Sequence, residues 1–317
     1  MNAVATLMMF VSVLIPSKTW YSPSEAINVT IKPPDAGEVS LVLTDFTNRA
    51  IELKQEVRVA GGAGEKTIDV RTLLPDGTSS GTFLLFAVPK DAARKDFVGT
   101  PLVVTVRQDQ RQGAPPLPMV IKVEPLCYMQ MTTDKGPMTL VFYYDAAPHT
   151  VSNFLALAGG GLYDGLTFHR IMPGFIIQGG DPRGDGTGGP GYMVNAEFND
   201  RPMQEGVLAM ARSTDPNEAG GAMPRGEFAN SAGSQFFICL NFENTKQLER
   251  RYTAFGKVIE GMETVKAIAG SKLPDAPSDR PEQPPKILRA EVKPVTAKDN
   301  PYLKLFAESV APSLVPQ

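Results

Sequence analysis

Residues 168–181 read FHRIMPGFIIQGGD. Two short apolar runs flank a Pro-Gly pair, the composition of a tight hairpin. With a three-residue loop at 173–175, antiparallel pairing sets Met172 opposite Ile176 and Arg170 opposite Gln178. Residues facing each other across two strands share one face of the sheet, so the guanidinium and the carboxamide lie side by side. Gln178 can then hold Arg170 in a fixed direction through its carbonyl oxygen. A permanently charged guanidinium on an apolar face costs free energy unless it has a partner or a task. The residues alone leave two readings of this pair: mutual satisfaction at a barrel rim, or the polar arm of a binding site.

Outward from the hairpin, residues 129–133 and 138–144 form strand signals around a turn at Asp134, Lys135 and Gly136. Residues 147–158 follow with Pro148 in the first turn and Val151, Phe154, Leu155 and Ala158 at helical spacing, ended by three glycines. A second helix is predicted over Met262–Ala269, between Gly261 and Gly270. Two helices among many strands describe a β-barrel capped at its ends.

The stretch closely resembles the signature of the cyclophilin-type peptidyl-prolyl isomerases, and the resemblance, bacterial-like in character, runs from about Leu126 to Lys293. Its motifs occur in family order: DAAP at 145–148, Asn153-Phe154, YDGLTFHR at 163–170, QGGD at 178–181, GTGG at 186–189, GVLAMA at 206–211, SAGSQFFI at 231–238 and FGKV at 255–258. It implies an eight-stranded antiparallel barrel capped by two helices, acting on X-Pro bonds of proline-containing polypeptides without a cofactor. Carried over by position, the active-site arginine falls on Arg170. The proline pocket falls on Phe175, Ile176, Phe237 and Leu248, with Tyr252 beside it. Gln178 and Gln235 match polar positioning residues, and Ala211 matches the position whose backbone runs along the bound peptide. Arg212 stands where Asn is common and is expected to add positive charge near the groove. Tyr252 replaces a histidine of many animal members. Gln247 stands where many members carry a ring at the pocket rim, which puts cyclosporin sensitivity in doubt.

These residue types suit the reaction. Rotation about an X-Pro bond requires loss of amide resonance against about 18–20 kcal/mol, and no covalent bond is broken. A dry pocket for the ring and a donor that favours the twisted amide are sufficient in kind. Because arginine does not titrate, the rate is expected to be nearly flat between about pH 6 and 8, whereas an inflection near about 6.5 would implicate His169. His169 sits on the opposite side of the strand from Arg170 by alternation and reads as a hydrogen-bonded structural residue. The alternative to the enzyme is a cyclophilin-like module that binds proline-containing segments without turnover.

Residues 213–229 form a longer connection than the family usually has, rich in Gly and Pro and expected to be an extended loop. Residues 272–286 are a Pro-rich loop before a last strand at 287–292, and 294–317 read as a tail with one helical turn near Leu303.

The first 124 residues have a different character. Period-two alternation at 26–32 (AINVTIK), with further strand signals at 38–46, 51–59, 67–73, 82–88, 102–107 and 119–123, predicts a mainly β, immunoglobulin-like sandwich. Residues 112–118 (QGAPPLP) read as a stiff connector. No catalytic cluster lies here, so this half is read as a spacer or as a module for an unknown protein partner. The apolar run at 7–15 is too short to span a bilayer. It reads either as a first strand or as an atypical export signal, which leaves localisation open.

Composition sets limits on the rest. A net charge of −3 gives no electrostatic footprint for nucleic acid, and nothing indicates stable membrane insertion. Cys127 and Cys239 are too few for a disulfide framework and read as buried apolar side chains. With His149 and His169 they lack metal-ligand spacing. GTGGPG at 186–191 matches a dinucleotide fingerprint literally, yet it lacks the flanking strand and helix and reads as a surface loop.

Overall fold

The structure is a computed structural model that describes residues 13–310 apart from 23, 36, 63, 76–79, 108–119, 219–221 and 276–277. The apolar residues 7–12, the connector at 112–118 and part of the 213–229 loop therefore lie outside the described residues. The chain divides into two compact units, one built from residues 1–127 together with 294–317 and the other from 128–293.

The first unit is mainly β. Its strands are β1 (Leu14–Pro16), β2 (Trp20–Tyr21), β3 (Asn28–Ile31), β4 (Glu38–Asp45), β5 (Ala50–Ile51), β6 (Arg58–Ala60), β7 (Lys66–Asp69), β8 (Gly81–Pro89), β9 (Val98–Arg107) and β10 (Val120–Pro125). One sheet runs β1-β3-β7; the other runs β2-β10-β9-β8-β4-β5, with β6 also on β4. Alternation explains the layering: Val29 and Ile31 from the small sheet and Val39, Leu41 and Leu43 from the large one join a single buried core.

Two expected strands are shorter than read. The 51–59 signal splits into β5 and β6 because exposed Glu52, Lys54, Gln55 and Glu56 gain nothing from a buried face. The 67–73 signal stops at Asp69, whose carboxylate accepts from the backbone N–H of Ile27 (2.8 Å) and Arg71 (3.0 Å) and turns the chain into a short 3-10 helix. The segment read as a tail from 294 differs more. Tyr302–Val310 is a helix of this unit, with Tyr302 donating to the Cys127 carbonyl (2.8 Å) and packing with Phe306 against Phe46. Two aromatic side chains on one helical face repay its ordering.

The second unit holds one antiparallel sheet of β11 (Cys127–Thr133), β12 (Gly136–Phe142), β13 (Arg170–Met172), β14 (Ile176–Gly179), β15 (Val207–Met210), β16 (Phe236–Cys239), β17 (Ala254–Glu260) and β18 (Ile287–Pro294). The order is β13-β14-β16-β15-β17-β12-β11-β18. The sheet curls far enough that a bridge between Thr167 and Lys286 joins the segments leading into its two edge strands. Helices Pro148–Gly159 and Met262–Ala269 flank it. The first begins at Pro148, and the Glu197 carboxylate accepts from the N–H groups of His149 (3.3 Å) and Thr150 (2.8 Å) in its opening turn. It buries Val151, Phe154, Leu155 and Ala158. Phe154 meets Phe142, Tyr163, Phe236 and Phe255 with centroids 4.7–5.9 Å away.

Both cysteines are buried and unbridged. Burial pushes the Cys239 thiol up to about 12, and the Cys127 thiol higher still. Neither is expected to react with a chromogenic disulfide reagent in the native protein at pH 8, and both should react after unfolding. Stoichiometric labelling without denaturant would contradict this.

Candidate active site

The hairpin of β13 and β14 has the register expected from its sequence: Arg170 faces Gln178, Ile171 faces Ile177 and Met172 faces Ile176. Gly174 takes the left-handed conformation at the loop tip (φ +70°), and the Phe175 N–H closes the turn on the Met172 carbonyl at 2.9 Å. The tip is fixed from outside by Asn244 Nδ2 donating to the Gly174 carbonyl (2.7 Å) and by the Leu240 N–H donating to Phe175 (2.9 Å).

From this hairpin a polar relay crosses the sheet. Arg170 Nη1 donates to Gln178 Oε1 (3.2 Å), and Gln178 Nε2 donates to Gln235 Oε1 (2.9 Å). Gln235 Nε2 then donates to the carbonyls of Gly186 (3.0 Å) and Gly188 (2.9 Å). The glycine-rich loop is itself wrapped on buried Asp181, whose carboxylate accepts from the N–H groups of Arg183, Asp185 and Gly186 at 2.5–3.0 Å. A Cβ at Gly188 would fall 2.0 Å from an Asp181 oxygen, so that position requires glycine.

Beside the relay lies a cleft of about 650 Å³ lined by Arg170, Phe175, Ile176, Gln178, Ala211, Arg212, Phe237, Leu248 and Tyr252, together with His169, Gln247 and Asp279. Ile176 and Phe237 are buried, and the Tyr252 ring meets Phe237 edge-on at 5.4 Å. Gln235 lines an adjoining cleft of about 520 Å³ that shares Gln178, Ala211 and Arg212. The Ala211 N–H donates to the Gln235 carbonyl at 3.0 Å, which holds the edge of this second cleft. Every candidate residue named from the sequence thus comes to one region.

Arg212 is placed otherwise than its charge led us to expect. Its side chain is only 2% exposed; its guanidinium lies 4.3 Å over the Tyr252 ring and chelates Glu218. The charge is satisfied within the protein rather than offered to the groove.

The sequence reading missed Asp279. Its carboxylate accepts from Arg170 Nε at 3.2 Å, and its backbone carbonyl accepts from the Ile171 N–H at 2.6 Å. The Pro-rich loop therefore carries an acid onto the arginine from 109 positions away. Arg170 Nη2 also donates to Met172 Sδ at 2.9 Å. Residues spaced so far apart in a loop without periodicity leave no local signal.

His169 also differs from expectation. It is buried, yet neither ring nitrogen meets a protein hydrogen-bond partner. Asp181 has committed its oxygens to backbone donors instead. Burial pushes the imidazole below its usual 6.5, an effect the nearby Asp181 charge opposes. It therefore stays neutral above that pH, and kcat/KM should vary by less than about twofold between about pH 6.5 and 8. The unfolded imidazole protonates first as pH falls, so the stability that neutral His169 contributes is present above 6.5 and lost as pH drops towards the folded value. A stopped pH series of rate and melting temperature checks both signs.

Comparison with known proteins identifies the family of the second unit. The family model "Cyclophilin type peptidyl-prolyl cis-trans isomerase/CLD" matches residues 128–292. A peptidyl-prolyl cis-trans isomerase of Synechococcus elongatus is 45% identical over 138 residues, 44% of this chain and 83% of that protein. Peptidyl-prolyl cis-trans isomerase B of Bacillus subtilis is 42% identical over 142 residues, 44% of this chain and 88% of that protein. A solved Cryptosporidium parvum cyclophilin-type isomerase, crystallised in the presence of the dipeptide Ala-Pro, is 30% identical, covers 53% of this chain and 99% of that one, and has a TM-score of 0.45. The chain belongs to the cyclophilin-type peptidyl-prolyl cis-trans isomerases. It is an isomerase of X-Pro peptide bonds, and its substrates are proline-containing polypeptides.

Proposed function

We propose that the 650 Å³ cleft is where the isomerisation takes place, with Arg170 as the electrophilic donor. The observation that carries this reading is the Arg170–Gln178–Gln235 relay standing beside an apolar wall of Phe175, Ile176, Phe237 and Leu248. The wall takes the proline ring and excludes water from one side of the amide. As the X-Pro bond twists, resonance is lost, the prolyl nitrogen becomes pyramidal and its lone pair becomes available. A guanidinium N–H aimed there, or at the adjacent carbonyl oxygen, binds the twisted amide better than the planar one, which is the differential required for catalysis.

Asp279, Gln178 and the Met172 sulfur each take one guanidinium N–H, and the two remaining N–H groups, one on each terminal nitrogen, are left for substrate. Tyr252 forms the far wall, and the Ala211 backbone is the edge along which the peptide lies. Exchange NMR on a short Ala-Pro peptide tests the reading. Catalytic amounts of protein should broaden or cross-link the cis and trans resonances, and saturable binding without added exchange would establish the non-catalytic module instead.

The first unit is assigned to an unidentified protein partner or to spacing. If it captures partners, the full chain should assist refolding of a protein substrate better than residues 128–293 alone while matching them on a short peptide.

A further inference from the structure

The loop that follows Ala211 carries a built polar assembly. Glu218 accepts from Arg212 through both carboxylate oxygens, at 2.5 Å from Nη2 and 3.0 Å from Nη1. Arg212 Nε donates to the Arg251 carbonyl at 3.0 Å, and Nη1 also donates to the Ser213 carbonyl at 2.9 Å. Four of the five guanidinium N–H donors are thereby used. The turn that presents Glu218 is itself fixed. Asp215, buried, accepts from the Arg225 side chain and backbone at 2.8–3.3 Å and from the Asn217 N–H at 2.9 Å, while the Asp215 N–H donates to Glu218 at 3.2 Å. The guanidinium stacks on Tyr252 at 4.3 Å, and Tyr252 packs on Phe237 at 5.4 Å.

A guanidinium at the rim of a peptide groove is ordinarily an anion hook, because its planar fork matches a carboxylate. Here the carboxylate is supplied by the protein's own loop. With Glu218 15% exposed and Arg212 2% exposed, the pair is shielded from the solvent screening that makes surface pairs weak. We propose that Glu218 is a specificity-determining positioning residue. It silences the Arg212 charge and holds the guanidinium flat on Tyr252, so that the cleft does not select substrates by acidic residues next to the proline. This rests on the reading that the Phe237–Tyr252 wall forms one side of the proline site.

The test uses the full chain and two peptides differing only in the residue before proline, Ala or Glu. Glu218→Gln keeps the shape and one acceptor oxygen but removes the neutralising charge. It should raise the Glu-to-Ala ratio of kcat/KM by roughly 3- to 10-fold at low salt, and the gain should shrink towards onefold at high salt. In the double variant Arg212→Ala, Glu218→Gln the gain should disappear, because Arg251, whose Nη2 also lies 3.6 Å from Glu218, does not line the cleft. Glu218→Ala, which also releases the stacked guanidinium, should in addition raise KM for the Ala peptide more than it lowers kcat. A ratio unchanged in Glu218→Gln, or a gain that persists without Arg212, would overturn the proposal. Wild-type protein that accelerates neither peptide would overturn the cleft as the site of isomerisation instead, so the two failures are distinct.

Discussion

Arg170→Ala should lower kcat/KM for a neutral X-Pro peptide by about 10²- to 10³-fold, the size seen when one preorganised donor to a developing charge is removed. The loss should fall on kcat. A planar amide offers the guanidinium little, whereas the twisted amide offers a basic nitrogen and a more localised carbonyl dipole. On the proposed reading the apolar wall carries ground-state binding, so KM should move by less than about threefold. Arg170→Lys keeps the charge but loses the fork that engages Gln178 and Asp279 together at 3.2 Å each, so it should recover little of the loss. The side chain is 40% exposed, and its removal leaves no buried cavity, so melting should stay close to wild type. Exchange NMR across a concentration series separates kcat from KM. An Arg170→Ala protein with wild-type kcat would exclude the guanidinium as the catalytic donor.

The hairpin that carries Arg170 was open to reading because strands obey a period of two. With residues 173–175 as a three-residue loop, parity alone places Arg170 opposite Gln178, and the structure has that register. The helix at Pro148–Gly159 was equally open, since its apolar positions repeat at 3, 4 and 7. What escaped reading lies in loops and at long range. Asp279 reaches Arg170 from a Pro-rich segment whose residues follow no repeat. Glu218 turns Arg212 from a groove charge into a stacked wall, and nothing in a run of Gly, Pro and Asp marks which acid will do so. The surroundings of His169 escape reading for a related reason. Alternation told its side of the strand, but the commitment of Asp181 to three backbone donors depends on a glycine loop folding back on it. The helix at Tyr302–Val310 shows the same limit for packing. Its sequence reads as a tail with one helical turn near Leu303, because the aromatic partner that orders it, Phe46, is more than 250 positions away.

Phe154→Ala should be the most destabilising single change in the second unit, costing about 3–5 kcal/mol. The ring is fully buried and meets four other aromatic rings, edge-on to Phe236 at 5.3 Å and tilted on Phe255 at 4.9 Å. Close-packed neighbours anchored in β12, β16 and β17 cannot collapse into the space without breaking the ladder, so most of the cavity persists. With about 2–4 °C of melting temperature per kcal/mol for a unit of this size, the expected fall is roughly 6–20 °C. The sole tryptophan, Trp20, belongs to the first unit, so activity remaining after heating is a better reporter of the second unit than tryptophan emission. Phe154→Leu refills much of the volume and should recover more than half of the loss. Because Phe236 faces this core while its neighbour Phe237 faces the cleft, the same strand serves both. Protein that is still folded at low temperature should therefore keep kcat/KM within about threefold of wild type if β16 holds its register. A variant that melts as wild type would mean that the helix is not what closes this end of the sheet. A variant that melts early and is also inactive while folded would mean that the core, and not the hairpin alone, sets the position of the proline wall.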